Sequence, residues 1–224
     1  MRGSLLPPFR MVQWVLGGVI LIVLGLVAYS NFVRSGQAGL RSAELRNLQQ
    51  WGIALNLYLI DNENQLPEVG ATPVSADQTR AWYNVLPPYI SQTPLASLPE
   101  GERPRPGVPS LWVRPTTKPV KIWDPTVFYF DYAMNAFLQP QAGTRSFRIY
   151  EISFPGSVLF LVPVGGYSPG AKPEDVFFDK TEKPPVARVL FCDGHVQTVP
   201  RVVLDSPESR AVPSSGTSVS WYEK

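Results

Sequence analysis

From Met11 to Val33 the chain carries no charged residue and is mostly apolar (MVQWVLGGVILIVLGLVAYSNFV). As an α-helix this run is about 34 Å long, slightly more than the hydrocarbon core of a bilayer. A secretory signal would have a shorter apolar region and a small-residue cleavage site, and Ala28-Tyr29-Ser30 matches that poorly. The sequence therefore predicts an uncleaved single-pass transmembrane helix over 11–33, against the alternative of a buried soluble helix. Gly17, Gly18 and Gly25 suit close approach of a second membrane helix, although no Gly-x-x-x-Gly is present. Trp14 and Tyr29 stand near the two ends, where aromatic residues favour the interface. Charge does not orient the span, since Arg2 and Arg10 precede it and Arg34, Arg41 and Arg46 follow it.

The helical pattern continues beyond the apolar run. Leu45, Leu48, Gly52, Leu55 and Leu59 recur at three- and four-residue spacings as one stripe, with Arg46, Gln49, Gln50 and Asn56 largely off it. No proline interrupts from Met11 to Pro67, so one helix of roughly 45–50 residues and about 70 Å is expected. Asp61-Asn62-Glu63-Asn64 and then Pro67 end it. The predicted organisation is a short segment 1–10, the span 11–33, an extramembrane helix continuation 34–62, an α+β domain 63–205, and a tail 206–224. Four β-rich runs fall in the domain, at 127–132, 157–164, 186–192 and 195–199. Residues 93–119 hold seven of the 24 prolines and are expected as an extended loop. The Ser/Pro-rich tail is expected to move unless a partner holds it.

Composition narrows the chemistry. One cysteine excludes an intrachain disulfide and any cysteine-built zinc or iron–sulfur site, and one histidine excludes histidine-cluster metal sites. A net charge of +2 argues against nucleic acid as the main partner. No cofactor, metal or small-molecule substrate is expected. The partners expected are the lipid bilayer and other membrane protein subunits.

The sharpest local motif is VLFCDGHVQTV, residues 189–199. Asp193-Gly194 between two β-rich runs predicts a two-residue type I′ hairpin. In that register Cys192 faces His195, Phe191 faces Val196 and Val189 faces Thr198, with Cys192 and His195 on the face opposite Phe191 and Val189.

Four stretches in order resemble a known family. NLQQWGIALNLYLIDNENQLP (47–67), WYNVLPPYI (82–90), YAMN (132–135) and VLFCDGHV (189–196) are similar to segments of bacterial pseudopilin-like proteins. Those proteins carry a prepilin-type N-terminal segment and a C-terminal Asp-Gly-His hairpin. The resemblance implies a pilin-like α+β fold, with a long N-terminal helix packed on a small antiparallel β-sheet. It also implies a periplasmic domain anchored in the bacterial cytoplasmic membrane. The chain departs from the family at its start. Prepilins have a cleavage-point glycine and a glutamate five residues into the mature chain, whereas counting five from Gly3 gives Pro8 and no acidic residue precedes Glu44. Lys183 and Arg114-Pro115 also stand where relatives often have His and Cys-Pro.

Three groups are candidate sites. Cys192 and His195 would form a thiolate–imidazole pair if the hairpin brought them together. Asp61, Asn62, Glu63 and Asp77 have the oxygen ligands calcium prefers, although helix termination explains Asp61 to Asn64 equally well. Trp82, Trp112 and Trp123 with the prolines suit either glycan or peptide contact or a packed core. The expectation is a non-catalytic structural or accessory subunit of a larger membrane complex, an electron-transfer or light-harvesting assembly being one setting. The alternatives are a minor pseudopilin of a type II secretion or type IV pilus-like machine, and an anchored glycan- or peptide-binding module or Cys/His enzyme.

Overall fold

The computed structural model describes residues 8–121, 123–124, 126–139, 144–211, 213 and 219–222; side chains of residues 8–21, 27–28 and 30–34 lie outside the described set. The chain divides into two units, Met1–Ser42 and Ala43–Lys224. One helix, α1, is assigned over Pro8–Asp61. The expected span 11–33 falls mostly on side chains outside the described set. Among the described residues no helix is long and apolar enough to cross a membrane.

Within the second unit, residues 43–61 of α1 lay one stripe on a sheet. Leu48, Trp51, Ala54, Leu55, Tyr58 and Leu59 are buried, while Arg46, Gln49, Gln50 and Asn56 are exposed. The apolar spacing of the sequence thus selects the buried face. Trp51 joins it, and Leu45 is only half-buried. The helix stops at Asp61, where Glu63 and Asn64 take left-handed φ values of 52° and 61° and the Asn64 N–H returns to the Leu59 carbonyl. Asparagine tolerates that conformation better than most residues.

The sheet has five strands in the order β3-β1-β2-β4-β5, namely β1 Phe130–Asn135, β2 Leu159–Gly166, β3 Gly170–Ala171, β4 Val186–Phe191 and β5 Val196–Pro200. The expected antiparallel sheet is corrected to a mixed one, because β3 pairs with β1 in parallel. Both faces are covered. Tyr132, Met134, Phe160, Leu190 and Cys192 join the α1 side of the core, while Ala133, Val162, Val189 and Phe191 join a second cluster on the other face. Alternation along each strand therefore reads as continuous burial in β1 and β4. A register shift between Leu159 and Leu161 interrupts it on β2, where Phe160 and Leu161 both join the α1 side.

The second face is closed partly by the chain's end. Val219 and Trp221 are buried in that cluster, Leu159 N–H donates to Ser220 O, and the Asn135 amide donates to Trp221 O. This corrects the expectation of a mobile tail over 206–224, as far as its described residues reach. The proline-rich loop is corrected in part. Its prolines keep it free of strands, yet it makes short 3₁₀ turns at Leu95–Ser97 and Glu100–Glu102 and buries Leu95, Trp112 and Val113.

Candidate functional site

The hairpin between β4 and β5 differs from its predicted form. Phe191, not Cys192, pairs with His195 through an N–H to carbonyl bond of 2.9 Å, and Leu190 is opposite Val196. Three residues therefore make the loop. Gly194 N–H closes the turn on Phe191 O, and only Gly194 has positive φ, at 89°. That is the three-residue loop with a left-handed glycine in its last position, one residue longer than a type I′ turn.

The shift separates the candidate pair. Cys192 is fully buried on the α1 face, with its thiol 3.8 Å from the Leu159 carbonyl oxygen. Burial, and secondarily the Asp193 charge, push that thiol well above the ordinary cysteine range. A thiolate nucleophile is thereby disfavoured. His195 stands on the opposite face, stacked on the Phe191 ring at 4.3 Å and 6°. Asp193 Oδ1 accepts from the His195 backbone N–H at 3.1 Å and contacts Nδ1 at 2.6 Å. With Nδ1 as the donor, Asp193 fixes the ring and leaves Nε2 as the acceptor. This Asp–His pair is half-exposed.

The tip is clamped from two sides. A Cβ on Gly52 of α1 would meet the Gly194 carbonyl oxygen at 2.5 Å, and the Asn56 side chain lies against the Gly194 Cα. On the other side a Cβ on Gly156 would meet Asp193 Oδ2 at 2.8 Å.

The candidate oxygen-ligand group does not assemble. Asn62 Nδ2 donates to Tyr58 O, and Glu63 pairs with Arg148 at 3.2 Å. Asp77 sits in a separate turn, where its N–H bonds the Ser75 hydroxyl. Among the described residues no group of three or more His, Cys, Asp or Glu is placed to hold a metal ion. Trp82 and Trp112 are core residues. They meet Trp51 at 5.6 and 4.8 Å between ring centroids, and the Trp82 and Trp51 indoles donate to Pro169 O and Leu111 O. Trp123 is half-buried under the Arg105 guanidinium, 5.1 Å from the ring centroid.

Two buried ionic groups carry no local sequence signal. Arg188, on the α1 face of β4, pairs with Glu44 at 3.2 Å, Asp179 at 3.6 Å and Glu182. Asp131 on β1 accepts from the Arg114 backbone at 2.8 Å, the Thr117 hydroxyl at 2.5 Å and the Tyr129 hydroxyl at 2.7 Å. Arg114 also reaches Asp131 Oδ1 at 3.5 Å and lies over the Phe177 ring. Arg188 sits in an otherwise apolar strand, but its partner Glu44 lies 144 residues away, so local sequence does not pair them.

The described residues also line two surface clefts. One of about 450 Å³ lies beside the β3 edge, lined by Gly70, Thr72, Ser168 and Lys172 among others. The second, about 370 Å³, includes Asp77, Glu68 and Arg80, the last two paired at 3.2 Å. Neither gathers convergent reactive groups. One further surface feature stands out. Ile53, Leu57 and Ile60 on α1 are 55%, 42% and 75% exposed and share one face at i, i+4 and i+7 spacing. No protein-family model, curated protein or solved structure matches this chain.

Proposed function

We propose that this chain is a membrane-anchored, non-catalytic subunit whose helix and α+β unit bind other subunits of a membrane complex. The observation that carries the reading is the Ile53/Leu57/Ile60 face, an apolar helical stripe left outside the core of the unit it belongs to. Apolar residues gathered at helical spacing on a surface mark a contact site, whereas scattered ones do not. The uncharged run 11–33 supports the anchor. The separation of Cys192 from His195 supports contact over catalysis, because the one thiol is sealed away from the one imidazole.

A second reading, a minor pseudopilin of a type II secretion or type IV pilus-like machine, is favoured by the ordered motifs and by α1 lying on a sheet closed by the Asp-Gly-His hairpin. Intact mass of the membrane-extracted protein separates the two readings. Loss of an N-terminal leader supports the pseudopilin, and a retained Met1 supports the accessory subunit.

The test of the first reading is purification in mild detergent with native mass measurement. The wild-type chain is expected in a defined hetero-complex. Replacing Ile53, Leu57 and Ile60 by Asn should release it while the urea midpoint stays close to wild type. Recovery of the wild-type chain as a lone monomer, or a complex indifferent to the triple substitution, contradicts the reading.

A further inference from the structure

The stretch 103–123 holds Arg103, Arg105, Arg114, Lys118 and Lys121 and no acidic residue. Arg114 is spent inside, on Asp131 and the Val164 carbonyl. The two lysines are not buried. Lys118, Pro119, Val120 and Lys121 are all exposed, and so are Val108 and Pro109.

Gly107 brings these two short runs together. Its φ is 79°, and a Cβ there would collide with the backbone and ring of Pro119. The backbones at 107 and 119 therefore touch, which brings the exposed run Lys118–Lys121 and the exposed pair Val108–Pro109 into one small region of the surface. Val108 is 56% and Val120 51% exposed. The result is a proline-bounded surface segment that exposes two valines and two lysines close to the Gly107–Pro119 approach. The nearest acids in sequence, Glu100, Glu102 and Asp124, lie outside this segment, and Asp124 is engaged by Thr126 at 2.7 and 2.9 Å.

The loop is fixed to the start of its unit. Asn47 Nδ2 donates to Ser110 O at 2.8 Å and Trp51 Nε1 to Leu111 O at 3.3 Å, both from the portion of α1 that follows Ala43. In sequence, the uncharged run ends at Val33, ten residues before Ala43.

We propose that the tip formed by Val108, Lys118, Val120 and Lys121 docks on an anionic lipid surface, the valines entering the headgroup layer and the lysines binding its phosphates. The proposal rests on the membrane-anchored reading. Apolar side chains beside lysines are the composition that an anionic interface binds, and each lysine near such a surface contributes separately. A nucleic-acid surface would use the lysines but leave both valines in water. Preformed rigidity lowers the ordering cost of contact, since prolines and the Gly107–Pro119 approach already hold the tip.

The test uses the full chain in vesicles. Val120→Cys is labelled with an environment-sensitive dye, the buried Cys192 remaining unlabelled. Vesicles of phosphatidylcholine alone are compared with vesicles containing about one-third phosphatidylglycerol. The expected result is a blue shift, and quenching by headgroup-level spin labels, only in the anionic vesicles. Lys118→Gln with Lys121→Gln should weaken docking about thirtyfold, read as loss of the shift, and salt should do the same. Alkaline carbonate washing in parallel reports the anchor separately. An anchored chain with no shift in anionic vesicles overturns the docking alone, while a carbonate-extracted chain that still shifts supports docking and overturns the anchor. An equal lysine-dependent shift with RNA overturns the lipid assignment.

Discussion

Arg188 is the charged member of the β4 side chains that face α1, two residues before the apolar Leu190 on the same face. It is 4% exposed and serves three carboxylates, those of Glu44, Asp179 and Glu182. Removing it leaves those charges in a poorly solvated place, so Arg188→Leu is expected to cost about 3–5 kcal/mol in urea unfolding. Glu44 behaves in the opposite sense. Burial raises its pKa above the ordinary 4.5, outweighing the pull of Arg114 and Arg188. A carboxyl group with a raised folded-state pKa favours the folded state fully below its unfolded pKa, and this contribution is lost as pH rises through the higher folded value. The unfolding free energy of wild type minus that of Glu44→Gln should therefore fall as pH rises from the ordinary 4.5 through the higher folded-state value. A difference that rises over that range would mean that the ion pair outweighs burial. In the sequence Glu44 is visible only as the chain's first acid, and nothing nearby announces a partner on β4.

The β4–β5 hairpin and α1 depend on one another at Gly52. In an exposed helix Gly→Ala commonly stabilises by about 1 kcal/mol. Here the added methyl would press on the Gly194 carbonyl oxygen and the Leu190 side chain. Gly52→Ala is therefore expected to destabilise by about 1–3 kcal/mol in the urea midpoint, with the sign as the diagnostic. Stabilisation would contradict this packing of helix on hairpin. The Asp-Gly pair located the turn from sequence, and four strands fell within a few residues of their expected places. The register did not follow, because Cys192 enters the loop as an extra residue, and a one-residue slip moves a side chain to the other face. That slip turns an expected Cys–His pair into a buried thiol and a ring stacked on Phe191. The β3 strand was not legible at all. Gly170–Ala171 is too short to show alternation, and its pairing is set by the return of the chain to β1.

Across the second unit, the α+β class was legible from the helical stripe and the β-rich runs. The role of the chain's end was not. Composition marks residues 206–224 as Ser/Pro-rich, yet Trp221 is fully buried against the sheet face opposite α1. A short Val-Ser-Trp-Tyr run is too brief to weigh against such composition, and its partners, Asn135 and Leu159, are distant in sequence. Trp221→Ala is expected to cost about 3–5 kcal/mol by urea unfolding, and a change near zero would return the segment to a mobile tail. The tryptophans were more legible. For Trp82 and Trp112 the sequence offered either a contact role or a packed core, and Trp51 gathers them into one buried cluster. For the whole molecule the central claim is the anchor, because both proposals place the chain at a membrane. Alkaline carbonate extraction of native membranes tests it most directly. The account predicts that the full-length chain stays with the lipid pellet, and its release into the supernatant would contradict the account.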